Sequence, residues 1–167
     1  KADDVILKTA SVIINTKSPL ASVFDDVIIG KQAILPEVDD IVYEDRLGTT
    51  GWIYRKKILV GTRDLLIHHG VPVLKEDFEK KYTRKGRKVL YLAEAGKLMA
   101  MFVVSYSADP QLKKALRKLE KSGMTILVRS ADPFINDESI AELFELPDGY
   151  IRVMNSSNGR AFEKYSN

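Results

Sequence analysis

The 167 residues contain no cysteine, one tryptophan and two histidines. Without thiols neither a disulfide framework nor a thiolate metal site can form, and with only His68 and His69 as imidazoles a zinc site is not expected. An excess of one charge is also missing. The 26 Lys and Arg stand against 23 Asp and Glu, a net +3, which is too balanced to dictate a nucleic-acid or membrane partner. Long apolar runs are absent too: the longest, residues 98–104, falls far short of the ~20 residues needed to span a bilayer. The opening Lys1-Ala2-Asp3-Asp4 is charged and lacks the pattern of a signal peptide. What is present is 45% hydrophobic residues, enough for one substantial core or two small ones.

The apolar spacing predicts a helix over residues 3–15, with Val5, Ile6, Thr9, Val12 and Ile13 on one side and Asp3 and Asp4 at its positive end. Thr16-Lys17-Ser18-Pro19 breaks it, and a second helix is expected from Pro19 to Gly30 with Ser18 as its cap. Short β segments follow at 41–43, 51–54 and 57–60, with Arg55-Lys56 as a hairpin tip. Gly48 and Gly51, with threonines between them, read as a turn with unusual backbone freedom. Thr62 or Arg63 opens a short helix that Gly70 stops, completing an α+β unit with an antiparallel sheet.

Residues 76–88 are polar and basic, and read as a solvated linker between two subdomains; steering of phosphates or contact with RNA are the alternatives. Beyond them, two strands flank a hairpin turn at 94–97. Pro110 opens a helix carrying Leu112, Leu116 and Leu119 on one face, and Gly123 ends it. A buried strand over 124–128, a helix capped by Asn136 or Asp137 and a strand at 150–154 give the strand-helix alternation of a parallel α/β unit. The domain division expected is 1–104 and 105–167, and the last ten or so residues are expected to be poorly ordered.

Four stretches carry a resemblance to a known family. Ser18-Pro19-Leu20-Ala21, Gly48-Thr49-Thr50-Gly51, Leu59-Val60-Gly61-Thr62-Arg63 and Ser130-Ala131-Asp132 follow one another in an order similar to the nucleotide-binding and phosphorylation domains of P-type cation-transporting ATPases. The heavy-metal branch is the most similar. The resemblance implies an antiparallel-sheet nucleotide-binding domain with helices, then a partial Rossmann-like unit of the haloacid dehalogenase type. It implies ATP as ligand, with Ser18 where that branch has a histidine facing adenine, and with Gly48, Gly51 and Gly61 where missing side chains let a nucleotide approach the backbone. Ser130 and Asp132 then stand as remnants of the phosphoryl end. The implied partners are nucleotide and the remaining domains of a transporter, with no nucleic acid and no direct membrane insertion. Together with the opening lysine in place of methionine, this makes a cytoplasmic piece of an integral membrane parent the expectation.

The sequence also departs from that family. Ala131 replaces a glycine, and Pro133 replaces an asparagine and removes an N–H donor. Tyr106 stands where the family carries an aspartate, unless a register shift makes Asp109 the equivalent. The Asp-Lys-Thr-Gly-Thr segment with its phosphorylated aspartate and the Gly-Asp-Gly-x-Asn-Asp segment that holds magnesium are both absent. No ATPase turnover is therefore expected of this chain alone, and magnesium belongs to a complete parent. Two readings remain open: an ATP-binding region that presents nucleotide to an aspartate elsewhere, or a degenerate, non-catalytic regulatory or interaction domain of the same descent. His68-His69 reads as a structural pair at a helix end, where imidazolium suits the negative dipole. Trp52 is expected in the core or half-buried, within reach of a base only through its place beside the glycine turn.

Overall fold

Five strands pair in sequence order into one antiparallel sheet, in a computed structural model that describes residues 2–16 and 18–154. The strands are β1 (Asp39–Glu44), β2 (Gly48–Ile53), β3 (Lys56–Gly61), β4 (Lys88–Glu94) and β5 (Lys97–Val104). Helices α1 (Ala2–Ile13) and α2 (Pro19–Val27) precede the sheet, while α3 (Arg63–His68) and α4 (Glu76–Lys80) lie between β3 and β4. The C-terminal part comprises α5 (Pro110–Lys121), β6 (Ile126–Arg129), α6 (Asp137–Phe144) and β7 (Ile151–Met154).

Alternation along the strands explains why β3 and β4 read as continuous apolar runs. Ile58, Val60, Leu90 and Leu92 point to one face, where Val12, Ile13, Leu20 and Phe24 of α1 and α2 cover them. Leu59, Val89, Tyr91 and Ala93 point to the other, against Leu65 and Leu66 of α3. A central strand buried on both faces has no polar positions to betray its period. A third cluster, Leu116, Leu146, Tyr150 and Ile151, forms the core of the C-terminal part, where β6 and β7 pair in parallel. Tyr106 and Phe134, on the segments that flank α5 and β6, pack against the first cluster.

Several sequence expectations are corrected here. Gly48 and Gly51 do not form a turn: both lie within β2, and the chain reverses at residues 45–47, with Arg46 at φ 61. The basic stretch 76–88 is not a linker between subdomains, because it contains α4 and a 3-10 turn (Arg84–Gly86) and connects strands that are hydrogen-bonded neighbours in one sheet. Strand β6 is not buried. Only one face of the two-stranded sheet packs on the third cluster, leaving Leu127 53% exposed. Of the three leucines on α5, Leu116 is the buried one, and Trp52 on β2 keeps over half its surface covered at 42% exposure, as expected. The expectation for the last ten residues falls outside the described residues.

Local signals did place the helix ends. Ser18 caps α2, Thr62 caps α3 and Asn136 closes a capping box with Ser139 on α6. The next residue, Asp137, ties α6 to β7: its Oδ1 accepts from Val153 N at 2.6 Å and its Oδ2 from Arg152 Nη1 at 3.1 Å. The Val153 N–H, then Arg152, hold this carboxyl below its ordinary value of 3.8. A carboxyl lowered on folding stabilises the fold above its unfolded pKa, and that contribution disappears as pH falls through the folded value. Asp137→Asn is accordingly expected to flatten the loss of stability below about pH 4, read by urea unfolding across a pH series. Superimposable pH profiles for the two proteins would refute this.

Candidate functional site

The loop between α1 and α2 brings Ser18 up to the start of the C-terminal part. Its Oγ accepts from Leu20 N at 3.1 Å, the capping bond, and donates to Asp132 Oδ2 at 2.6 Å. The Tyr106 hydroxyl donates to the same oxygen at 2.5 Å. On the other side, Asp132 Oδ1 accepts from Phe134 N at 2.8 Å, and Asp132 N donates to Ser130 Oγ at 3.1 Å. Asp132 is 1% exposed and Ser130 is also buried. Burial, and after it the charge of Asp132, pushes the Tyr106 phenol far above its usual range; burial pushes Tyr43, which also feels Asp132, up to about 12.

Around this cluster the motifs converge on one void. Ser18 and Leu20, Thr49 beside Gly48, Val60 beside Gly61, and the 131–133 segment line a cavity of about 20 Å³. That is room for one water. The sequence-predicted residues Ser18, Ser130 and Asp132 are thus brought together, with the neighbours of Gly48 and Gly61 beside them. Gly51 is not part of this: a Cβ there would meet Val38 Cγ1 at 2.5 Å.

The other two glycines answer to the sheet itself. Gly48 and Gly61 are partners across β2 and β3. A Cβ on Gly48 would meet Val60 O at 2.4 Å and Gly61 Cα at 2.6 Å, and one on Gly61 would meet Leu47 O at 2.3 Å. Gly48 also sits at φ +143, which L-residues rarely adopt. The close approach of two backbones therefore accounts for both.

Tyr106 was legible only as a lost carboxylate. Its role as the second hydroxyl on Asp132 spans 26 positions and leaves no local signal. Asp109, the residue of the alternative register, caps α5, accepting from Gln111 N at 2.8 Å and Leu112 N at 3.1 Å. Of the histidine pair, His69 bridges Glu44 at 2.6 Å and Lys57 at 2.9 Å. An ammonium has no lone pair, so Nδ1 accepts from Lys57 and the Nε2 proton goes to Glu44. This ties α3 to β1 and β3. Among the described residues no group of three or more His, Asp or Glu could hold a metal ion, and no helix is long and apolar enough to cross a membrane.

No family model matches the chain. A curated relative, the Copper-transporting ATPase 2 of Rhizobium meliloti (strain 1021), is 23% identical over 165 residues, which is 98% of this chain but 20% of the relative. The chain thus spans about a fifth of that protein's length. The N-domain of HMA6, a copper-transporting P-type ATPase, superimposes with a TM-score of 0.50 at 18% identity, over 62% of this chain and 86% of that one. A zinc-transporting PIB-type ATPase in its E2.Pi state gives a TM-score of 0.52 at 12% identity, over 92% of this chain and 24% of that one. With its helices and five-stranded antiparallel sheet, the chain resembles the heavy-metal P-type ATPases and carries the fold of their N-domain.

Proposed function

We propose that this chain is the ATP-binding part of a larger, heavy-metal P-type ATPase-like protein, and that residues 131–133 close its nucleotide face in the conformation described. The observation that carries this reading is the convergence of Ser18, Thr49 and Val60, from three separated motifs of an N-domain fold, on one cavity. The hydroxyls of Ser18 and Thr49, beside the apolar wall that Val60 and Leu20 supply, suit a polar heterocycle. The volume does not: about 20 Å³ excludes a purine, so entry requires Asp132 to release Ser18 and Tyr106. On this reading residues 1–104 form the nucleotide-binding unit. Residues 105–167 form a partial phosphorylation-domain-like unit of the haloacid dehalogenase type, with Ser130 and Asp132 at the carboxyl end of β6.

In the parent, a cytoplasmic domain of this kind would present nucleotide to an aspartate elsewhere. The described residues offer no carboxylate cluster for magnesium, so no phosphoryl step is assigned to them. The small size of the cavity also favours a second reading, a non-catalytic regulatory or interaction domain that inherited the fold and closed its site.

Titrating the whole chain and its Tyr106→Phe variant with ATP, ADP and adenosine, without magnesium, separates the two. The first reading expects saturable amide shifts at Ser18 and residues 48–62, with a Kd in the micromolar to millimolar range. It also expects binding at least threefold tighter once the Tyr106 hydroxyl no longer holds Asp132. Silence in both proteins at about 5 mM, equivalent to less than ~3 kcal/mol of binding, would establish the second.

A further inference from the structure

A second, larger cleft opens where β3 passes into α3 and β4 begins. Its volume is about 390 Å³, within the ~300–1,000 Å³ typical of small-molecule sites. Arg63, Arg87 and Lys88 line it together with Thr83 and Phe134. Two carboxylates, Asp64 and Glu79, share the lining, so three cations face two acids. None of these residues lines the cavity beside Asp132.

The state of each charged group decides what the cleft suits. Glu79 is already committed: it accepts from the Tyr91 hydroxyl at 2.6 Å and lies 3.6 Å from Arg63 Nη1. That nitrogen also donates to Leu74 O. Arg63 Nε, by contrast, is buried with no hydrogen-bond partner among the described residues. An unpaired buried donor on a charged group is costly, and a ligand that accepts from it would remove that cost. Arg87 Nε donates to Arg84 O at 3.1 Å, and among the described residues its remaining guanidinium nitrogens have no acidic partner. Lys88 has none either, among the described residues. A buried guanidinium N–H, a second guanidinium and an ammonium around one cleft match a tetrahedral oxyanion with two charges.

We infer that this cleft binds the phosphate group of a small phosphorylated compound, held by Arg63 Nε–H, Arg87 and Lys88. Inorganic phosphate is the minimal form of that ligand, and the phosphate tail of a nucleotide is the other source of the same chemistry. The site stands independently of the adenine face. A phosphate here satisfies the orphaned Arg63 donor and supplies an acidic partner to Arg87 and Lys88, which have none among the described residues. The cleft's size beyond a single phosphate, and the Phe134 ring on its wall, leave space for an organic remainder.

The test uses the full chain, isotopically labelled so that arginine Nε–H signals are resolved, titrated with sodium phosphate at constant ionic strength. The Arg63 Nε–H resonance is expected to move saturably, with half-saturation in the low millimolar range or below. Arg87→Gln and Lys88→Gln should each weaken that saturation at least fivefold while leaving the melting temperature unchanged. A shift reproduced by sodium chloride, or undiminished affinity in both variants, would overturn the inference. ATP and adenosine arms identify the source. Movement of Arg63 Nε–H by ATP, competed by phosphate and not produced by adenosine, assigns the nucleotide tail; movement by phosphate alone assigns a free phosphate. Adenosine shifts at Ser18 and Thr49 report on the nucleotide reading separately, so either idea can fail while the other stands.

Discussion

Asp132→Ala is expected to lower the unfolding free energy by about 4 kcal/mol, since hydrogen bonds to a charged group contribute roughly 1.5–3 kcal/mol each and do not add fully. The truncation strands three donors at once in a buried site: Ser18 Oγ, the Tyr106 hydroxyl and Phe134 N. Asp132→Asn should lose only about half as much. Its carbonyl keeps the Phe134 N–H, and the two hydroxyls can each turn to accept from the amide nitrogen. Urea unfolding of the three proteins gives the order wild type, asparagine, alanine. An alanine variant within about 1 kcal/mol of wild type would mean that the cluster contributes little beyond an average hydrogen bond.

The second large effect is expected at the glycine pair. Gly48→Ala and Gly61→Ala should each cost about 3 kcal/mol, the upper range for overpacking, because the added methyl collides with backbone of the facing strand rather than with a movable side chain. Gly51→Ala should cost about 1 kcal/mol, since Val38 can rotate away. Thermal and urea melts of the three variants check the ranking. If Gly48→Ala and Gly61→Ala kept wild-type stability and lost only nucleotide binding, the strand-packing account would be wrong and the ligand account right.

The same glycines show what was legible in the chain and what was not. Two glycines around two threonines look like a turn when read locally. Only the pairing of Gly48 with Gly61 reveals that both serve one close approach between strands. Charge misled in a similar way at 76–88, because solvation is a local property whereas the adjacency of β3 and β4 is set by the whole sheet. Caps were readable at Ser18, Thr62 and Asn136, where a side chain bonds within three residues of itself. So was the 94–97 hairpin, where Ala95 and Gly96 take the positive φ values a tight turn needs. At the candidate site Ser18, Ser130 and Asp132 came from motif order, whereas the hydroxyl of Tyr106 came from tertiary structure alone.

The bond from Ser18 to Asp132 joins positions 114 apart in the sequence. Closing so long a loop demands chain entropy before any contact compensates it, whereas the β2–β3 and β4–β5 hairpins form between neighbours. The Asp132 cluster is therefore among the last contacts made on the way to the native state and among the first released. Its stabilisation acts on the unfolding rate, with little influence on how fast the chain folds. By this argument the hairpins form early, and Asp132 acts as a late clasp whose strength sets how long Ser18 and Tyr106 stay bound to it.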